Sequence, residues 1–305
     1  MCARRGATGL CGILLVDKPA GMTSHDVVAA VRRAAGEGRV GHAGTLDPMA
    51  TGLLVVLVGA YTRLEPYLSQ GAKAYDATIA FGSGTDTDDA EGRTVREADV
   101  PDQVFDQGRA QAVLDGFLGS SSQEPPVYSA IKVGGRTAHR VARAGGSITL
   151  APREISVLEA SLTGIDEAAR TWRVRFLVSK GTYVRALARD IGGACSTAAH
   201  LSGLRRVESG GLLLEDAHSL DEVAEGARRG ELQGLFADPV AALGLPTVSA
   251  PADDVRNGRP LQPDVPHPDD GRRFAVLVDG RLAAVYVADV GALVPEAVFP
   301  CEAHR

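Results

Sequence analysis

Gly41-His42-Ala43-Gly44-Thr45-Leu46-Asp47-Pro48-Met49-Ala50-Thr51-Gly52 is the stretch from which the rest of the chain is best read. Its three glycines and one proline exclude a helix or a regular strand running through it. They prescribe a specific loop path, with Asp47 held directly before the rigid ring of Pro48. A carboxylate fixed in a loop between two regular elements sits where function tends to collect. Taken alone, an Asp-Pro pair is more often a cap for the turn that follows.

Upstream, Gly12 to Val16 reads as a short apolar strand that runs into a loop at Asp17-Lys18-Pro19. Thr23 or Ser24 is suited to cap a helix starting near His25, with Val27, Val28 and Val31 on one face. Gly36, Gly38, Gly41 and Gly44 predict no regular structure between that helix and the loop. Downstream, Leu53 to Val58 predicts a buried strand and Tyr75 to Phe81 a second one, with residues 82–94 as a turn or exposed loop. Residues 109–118 predict a short helix with Val113, Leu114 and Phe117 inward, stopped by Gln123-Glu124-Pro125-Pro126. Trp172 to Val178 reads as a strand, Tyr183 to Ile191 as a helix, and Ser219 to Leu235 as an acidic helix. Pro246 marks a boundary between residues 1–245 and a small β-rich domain, 246–305. In the latter, Phe274–Val278 and Leu282–Val287 flank the hairpin signal Asp279-Gly280.

A chain of 305 residues with 45% hydrophobic and 23% charged residues can bury a core without disulfide or metal staples. Cys2, Cys11, Cys195 and Cys301 form no CxxC pair and have no histidine at metal-ligand spacing, which predicts free thiols in a reducing compartment. With no apolar run long enough for a membrane helix and no secretory leader, the cytoplasm is the expected location. The net charge is −6, but it alternates in blocks: +3 over residues 1–75, −8 over 76–125, +7 over 126–214 and −8 over 215–305. If the two basic blocks meet in space, they make a surface that attracts phosphates despite the acidic total. Lys132, Arg136, Arg140 and Arg143 lie in a basic stretch (about 124–152) beside Gly134-Gly135 and Gly145-Gly146. They would share one face if helical, in an insertion hinged to close over phosphates. Thr85-Asp86-Thr87-Asp88-Asp89 has the donors for magnesium, but lacks the preceding strand and lysine motif of phosphoryl chemistry.

Gly41–Gly52 resembles the catalytic motif of the TruB family, the bacterial tRNA pseudouridine-55 synthases. Five further segments resemble that family in its order: Leu15–Pro19 with Gly21–Ser24, Lys73-Ala74-Tyr75, Gln123–Lys132, Ser179–Arg185 and Leu204-Arg205-Arg206. The resemblance covers roughly residues 10–215. It implies an α+β fold: a mixed, mainly antiparallel sheet with helices, a basic RNA-gripping insertion, and a small C-terminal β-rich, PUA-like domain. The activity it implies is isomerisation of a uridine in the T-arm of tRNA after the base is flipped out of its stack.

That chemistry breaks a glycosidic bond, turns the uracil and rejoins it through carbon, so it requires no metal and no redox or nucleotide cofactor. The resemblance makes Asp47 the catalytic carboxylate and Arg185 its guanidinium partner. Tyr75 becomes the stacking ring, and Tyr183 a second ring that hydrogen-bonds the base and moves a proton. Attack on the sugar, addition to the base and a glycal route all remain open. By the same resemblance His42 helps displace nucleotides of the RNA loop, Lys18 braces the active-site loop or contacts phosphate, and Leu204 and Arg205 belong to a late substrate loop. Lys132, Arg136, Arg140 and Arg143 grip the RNA. His139, where the family has tyrosine, and Gly210-Gly211-Leu212, in place of a Gly-Pro-Phe-like segment, depart from its pattern. The expected protein is a monomer that takes tRNA without guide RNA or membrane. The alternatives are a guide-dependent rRNA enzyme and an RNA-folding protein whose chemistry is dispensable.

Overall fold

The computed structural model describes residues 8–129, 131–133, 136–138, 150–262 and 269–299. The first elements are β1 (Gly12–Lys18), α1 (Ser24–Ala35), β2 (Val40–Ala43), β3 (Thr51–Val58) and β4 (Lys73–Phe81). Thr23 starts α1 through a reciprocal capping box with Asp26, and Gly36 at φ 59° ends it. β2 corrects the expectation that the glycines abolish all regular structure. Val40 to Ala43 pair with Val58 to Val55, because the free edge of β3 outweighs the low strand propensity of Gly41.

Next come a short hairpin of β5 (Ser83–Thr85) and β6 (Thr94–Glu97), then α2 (Gln107–Asp115) and β7 (Gly119–Gln123). A loop was expected over the first pair, and no strand at β7. The α2 face that enters the core is Ala110 and Leu114, with Val113 and Phe117 half-buried beside it. A small hairpin of β8 (Lys132–Val133) and β9 (Arg136–Thr137) lies in the expected insertion. Arg136 is therefore in a strand rather than at the start of a helix. Arg140 and Arg143 lie outside the described residues, as does His139.

The chain continues through β10 (Arg153–Asp166), β11 (Thr171–Val178), α3 (Val184–Ala194), β12 (Ala199–Ser209), β13 (Leu212–Leu213), α4 (Leu220–Arg229) and β14 (Phe236–Ala237). The acidic helix stops at Gly230, φ 74°, short of the expected Leu235. A second sheet holds β15 (Thr247–Ser249), β16 (Arg273–Val278), β17 (Arg281–Asp289) and β18 (Ala292–Val298). Asp279 and Gly280 both adopt left-handed φ, 50° and 75°, which a two-residue hairpin turn between twisted strands requires.

The large sheet runs β14-β1-β3-β12-β4-β11-β10-β7, with β13 on β12 and β2 on β3. All its pairs are antiparallel except β3 with β12. On one face Val27, Val28 and Val31 of α1, Leu114 of α2, Leu187 and Ile191 of α3 and Val223 of α4 join one core. Trp172 lies fully buried in it, donating its indole N–H to Val104 O at 3.0 Å. Ile13, Leu15, Leu53, Val55 and Leu57 pack on the opposite face with Tyr61, Leu64 and Leu68, with Ala275, Leu282 and Val285 of the second sheet, and with Phe299 just beyond it. Among the described residues no helix is long and apolar enough to cross a membrane.

The site is positioned by a divided strand edge. β1 pairs along one side of β3, while β2 takes Val55–Val58 on the other and β12 takes Thr51 and Gly52. The loop carrying Asp47 leaves at that split. Gly52 sits at φ 94°, and a Cβ there would lie 2.3 Å from Arg206 O, so the close approach of β12 demands glycine.

Candidate active site

Lys18 at the end of β1, Gly21 of the following loop and Ser24 of α1 hold the Asp47 loop. Ser24 Oγ accepts from Leu46 N at 2.9 Å and donates to Leu46 O at 3.0 Å. Gly21 N donates to Pro48 O at 2.9 Å. Lys18 Nζ donates to Pro48 O at 3.2 Å, Pro19 O at 2.9 Å and Met22 O at 2.6 Å. With its side chain fully buried on three carbonyls, Lys18 braces the loop and has no face left for a phosphate. Burial is the main cause that lowers its pKa.

Arg185 enters from the first turn of α3, and its guanidinium is shared between two carboxylates. Nη2 donates to Asp47 Oδ1 at 3.2 Å, and Nε lies 2.9 Å from Asp47 Oδ2, outside good hydrogen-bond geometry. On the other side Nη1 lies 3.5 Å from Asp89 Oδ2 and donates to Thr87 O at 2.9 Å, while Nη2 also donates to Tyr128 O at 3.0 Å. Arg185 and Asp89 are buried, whereas the Asp47 side chain is 36% exposed, on the open side of the pair. Asp88 is tied to Arg189, and Arg189 to Glu124 O, so the acidic segment is clamped onto α3. Burial raises the Asp88 pKa.

The cleft above Asp47 has a volume of about 700 Å³, and Tyr75, Tyr183, Leu204 and Arg206 are among the residues that line it. Tyr75 comes from β4. Tyr183 precedes α3, and its backbone is held from both sides by the Gln123 amide: Tyr183 N donates to Oε1 at 2.9 Å and Nε2 donates to Tyr183 O at 3.1 Å. Among the described residues no three or more His, Cys, Asp or Glu side chains, those of Thr85–Asp89 included, cluster as a metal site would.

Other expected site residues fall elsewhere. Leu204 and Arg205 are in strand β12 rather than a loop, and strand alternation sends them to opposite faces. Arg205 turns away from the cleft to pair with Asp17 at 2.7 Å, and its neighbour Arg206 faces the cleft in its place. His42, on β2, stands edge-on to His25 at 5.6 Å and is not part of the cleft wall. Burial, then the charges of His25 and Arg206, lowers its pKa. Lys132 and Arg136 lie on the β8–β9 hairpin beyond Tyr128 and Ser129.

A family profile described as "TruB family pseudouridylate synthase (N terminal domain)" matches residues 32–184. The tRNA pseudouridine synthase B of Geobacter sulfurreducens is 40% identical over 288 residues, covering 90% of this chain and 92% of that protein. The chain belongs to the TruB family. The tRNA pseudouridine synthase B of Thermobifida fusca is 48% identical over 219 residues, 70% of this chain and 74% of that protein. Among solved structures, one titled "Structure of H/ACA RNP bound to a substrate RNA containing 2'-deoxyuridine" matches with a TM-score of 0.71 at 24% identity, covering 95% of this chain and 86% of that one. At that identity it shows the fold alone.

In this TruB-family chain, sequence reading missed Asp89, Gln123 and Arg206 as parts of the site. Asp89 entered the sequence reading only as a magnesium donor in Thr85–Asp89, because only folding brings it to Arg185. Gln123 was read as a helix stop. The signal available for Arg206 was its parity with Leu204 on a strand, invisible while the segment was read as a loop.

Proposed function

We propose that this chain isomerises uridine 55 in the T-loop of tRNA to pseudouridine, alone, without guide RNA or cofactor. The observation that carries this reading is Asp47 held by Arg185 in a cleft lined by Tyr75 and Tyr183. A flipped uracil stacks on Tyr75 and sets its glycosidic bond against Asp47. Arg185 pairs the carboxylate's charge as the arriving base strips it of water, and its planar fork fixes the carboxylate's direction. Tyr183 offers a hydroxyl to the turning base. The hairpin carrying Lys132 and Arg136, and the basic stretch through Arg140 and Arg143, holds phosphates of the T-arm. The reading extends to a monomer acting in the cytoplasm.

The test is to incubate the purified chain with an unmodified tRNA transcript, adding neither guide RNA nor metal, and map pseudouridine. Product at position 55 is expected, and a transcript left unmodified there refutes the reading. Asp47→Asn is expected to lower turnover by on the order of 10³-fold while tRNA binding persists. Turnover retained by that variant refutes the role of the carboxylate.

A further inference from the structure

Besides Asp47, Arg185 and Asp89, the cleft is lined by three cations. Arg206 is fully buried, and among the described residues its guanidinium donates only to backbone carbonyls: Leu53 O at 2.7 Å and Gly44 O at 3.0 Å. Lys73, 8% exposed, donates to Ser69 O at 3.0 Å and Gly71 O at 2.9 Å. Lys180 stands exposed at the mouth and bonds the Gln70 amide oxygen. All three line the same cleft. Among the described residues none of the three forms an ion pair.

The two buried cations converge under the catalytic loop. A Cβ on Gly44 would meet Arg206 Nη1 at 3.4 Å and Lys73 Cε at 3.5 Å. Burial, then the charges of Arg206 and Lys180, lowers the Lys73 pKa to about 8. Arg206 also depresses Lys18 and His42. Adjacent like charges taken out of water with neutral partners alone cost free energy in the unliganded protein. Carbonyl partners hold such cations in place without neutralising them, so the field remains for an incoming anion. Arg185 cannot fill this role, because its donors are taken by Asp47, Asp89, Thr87 O and Tyr128 O. A flipped nucleotide carries its backbone phosphates one ribose away from the glycosidic bond.

We propose that Lys73 and Lys180, backed by the field of the buried Arg206, form an anion subsite for a backbone phosphate next to the flipped nucleotide. The proposal rests on the RNA-substrate reading above. Seating that phosphate fixes the ribose, and hence the direction in which the glycosidic bond faces Asp47. The subsite binds and positions; no covalent step passes through it.

The experiment uses a T-arm stem-loop in which each phosphate flanking the target uridine is replaced, one at a time, by an uncharged methylphosphonate. Binding and turnover are measured for the full-length chain and for Lys73→Met, Lys73→Arg and Lys180→Met, with far-UV circular dichroism to check folding. At one flanking position the replacement is expected to weaken binding to the natural chain about 10-fold, as the loss of a charge-assisted contact does. The same replacement then has little further effect in Lys73→Met, while Lys73→Arg keeps the full sensitivity. Lys180, being exposed, provides a variant whose fold is not at stake, and a smaller loss of sensitivity is expected there. If the natural chain makes pseudouridine but every replacement weakens all four proteins equally, the subsite is overturned and the functional reading stands. If the natural chain makes none from the unmodified stem-loop, both fall together.

Discussion

Lys73 links the electrostatics of the cleft to a measurable pH dependence of stability. Its folded pKa is about 8, chiefly through burial, against 10.5 for the ordinary side chain. Between those values the unfolded chain holds more protons than the folded one, so stability rises with pH across that window. Below about 8 the folded state carries the full cost of the buried charge; above about 10.5 the cost has gone. Lys73→Met removes this titration. The melting temperature of the variant minus that of the natural chain is therefore expected to be more positive at pH 7 than at pH 10. A difference that does not change with pH would mean that Lys73 titrates as an exposed lysine. A second single-residue test uses Cys195, buried on the same core, whose thiol burial pushes up to about 11. At pH 8 it stays protonated, so iodoacetamide is expected to label it only after denaturation. Labelling in the native protein as fast as in the unfolded chain would contradict the burial.

At the scale of elements, the strands and helices with one clean apolar period were legible in the sequence, and the mixed ones were not. α1, β3, β4, β11 and α3 carry their burial pattern in their residues. β7, Gly-Ser-Ser-Ser-Gln, is exposed along all but Gln123 and pairs only at the sheet edge, so hydrophobic periodicity has nothing to report. β12 is half-buried on both faces because the sheet divides beside it, and its alternation is lost. Missing that strand hid Arg206 and sent Arg205 to the wrong side. The loop of Asp47 was legible because its glycines and proline act locally, but the acidic segment that buttresses Arg185 comes to the site only through the pairing of β4 with β12 and β11. Gln123 shows what such an unannounced contact does. Its amide closes two hydrogen bonds on the Tyr183 backbone, just before Arg185. Gln123→Ala leaves both groups unpaired, and a loss of about 1–3 kcal/mol of stability is expected. Turnover is expected to fall more than tRNA affinity, because Tyr183 and Arg185 lose their position rather than their chemistry. Equal losses in kcat and affinity would place Gln123 in general RNA binding instead.

For the whole molecule, the question is whether the second sheet is an appendage or part of one cooperative unit. The side chains argue for one unit. Tyr61, on the short helical segment after β3, meets Phe299 edge-on at 5.7 Å and donates its hydroxyl to Leu282 O at 3.4 Å. Arg63 donates to Val298 O at 2.7 Å. The guanidinium of Arg273 lies 5.7 Å from the Tyr67 ring centre while paired with Glu296 at 2.7 Å, and burial beside Glu296 pushes the Tyr67 hydroxyl up to about 12. Beneath these contacts Leu282, Val285 and Phe299 share one apolar cluster with Ile13, Leu15, Leu53, Val55 and Leu57, which form the outer face of the catalytic sheet. Ending the chain at residue 245 would expose that face as a contiguous apolar patch, the condition under which a soluble domain associates with itself. Calorimetry of the full chain is therefore expected to give one transition, with calorimetric and van't Hoff enthalpies equal. The chain ended at 245 is expected to melt lower and to aggregate near its transition. Leu282→Asp, which puts a charge into the seam, is expected to lower the single melting temperature without splitting it. Two resolved transitions in the full chain, or a truncated chain that melts at the same temperature and stays monomeric, would show instead that the sheet packs on a catalytic unit already complete without it.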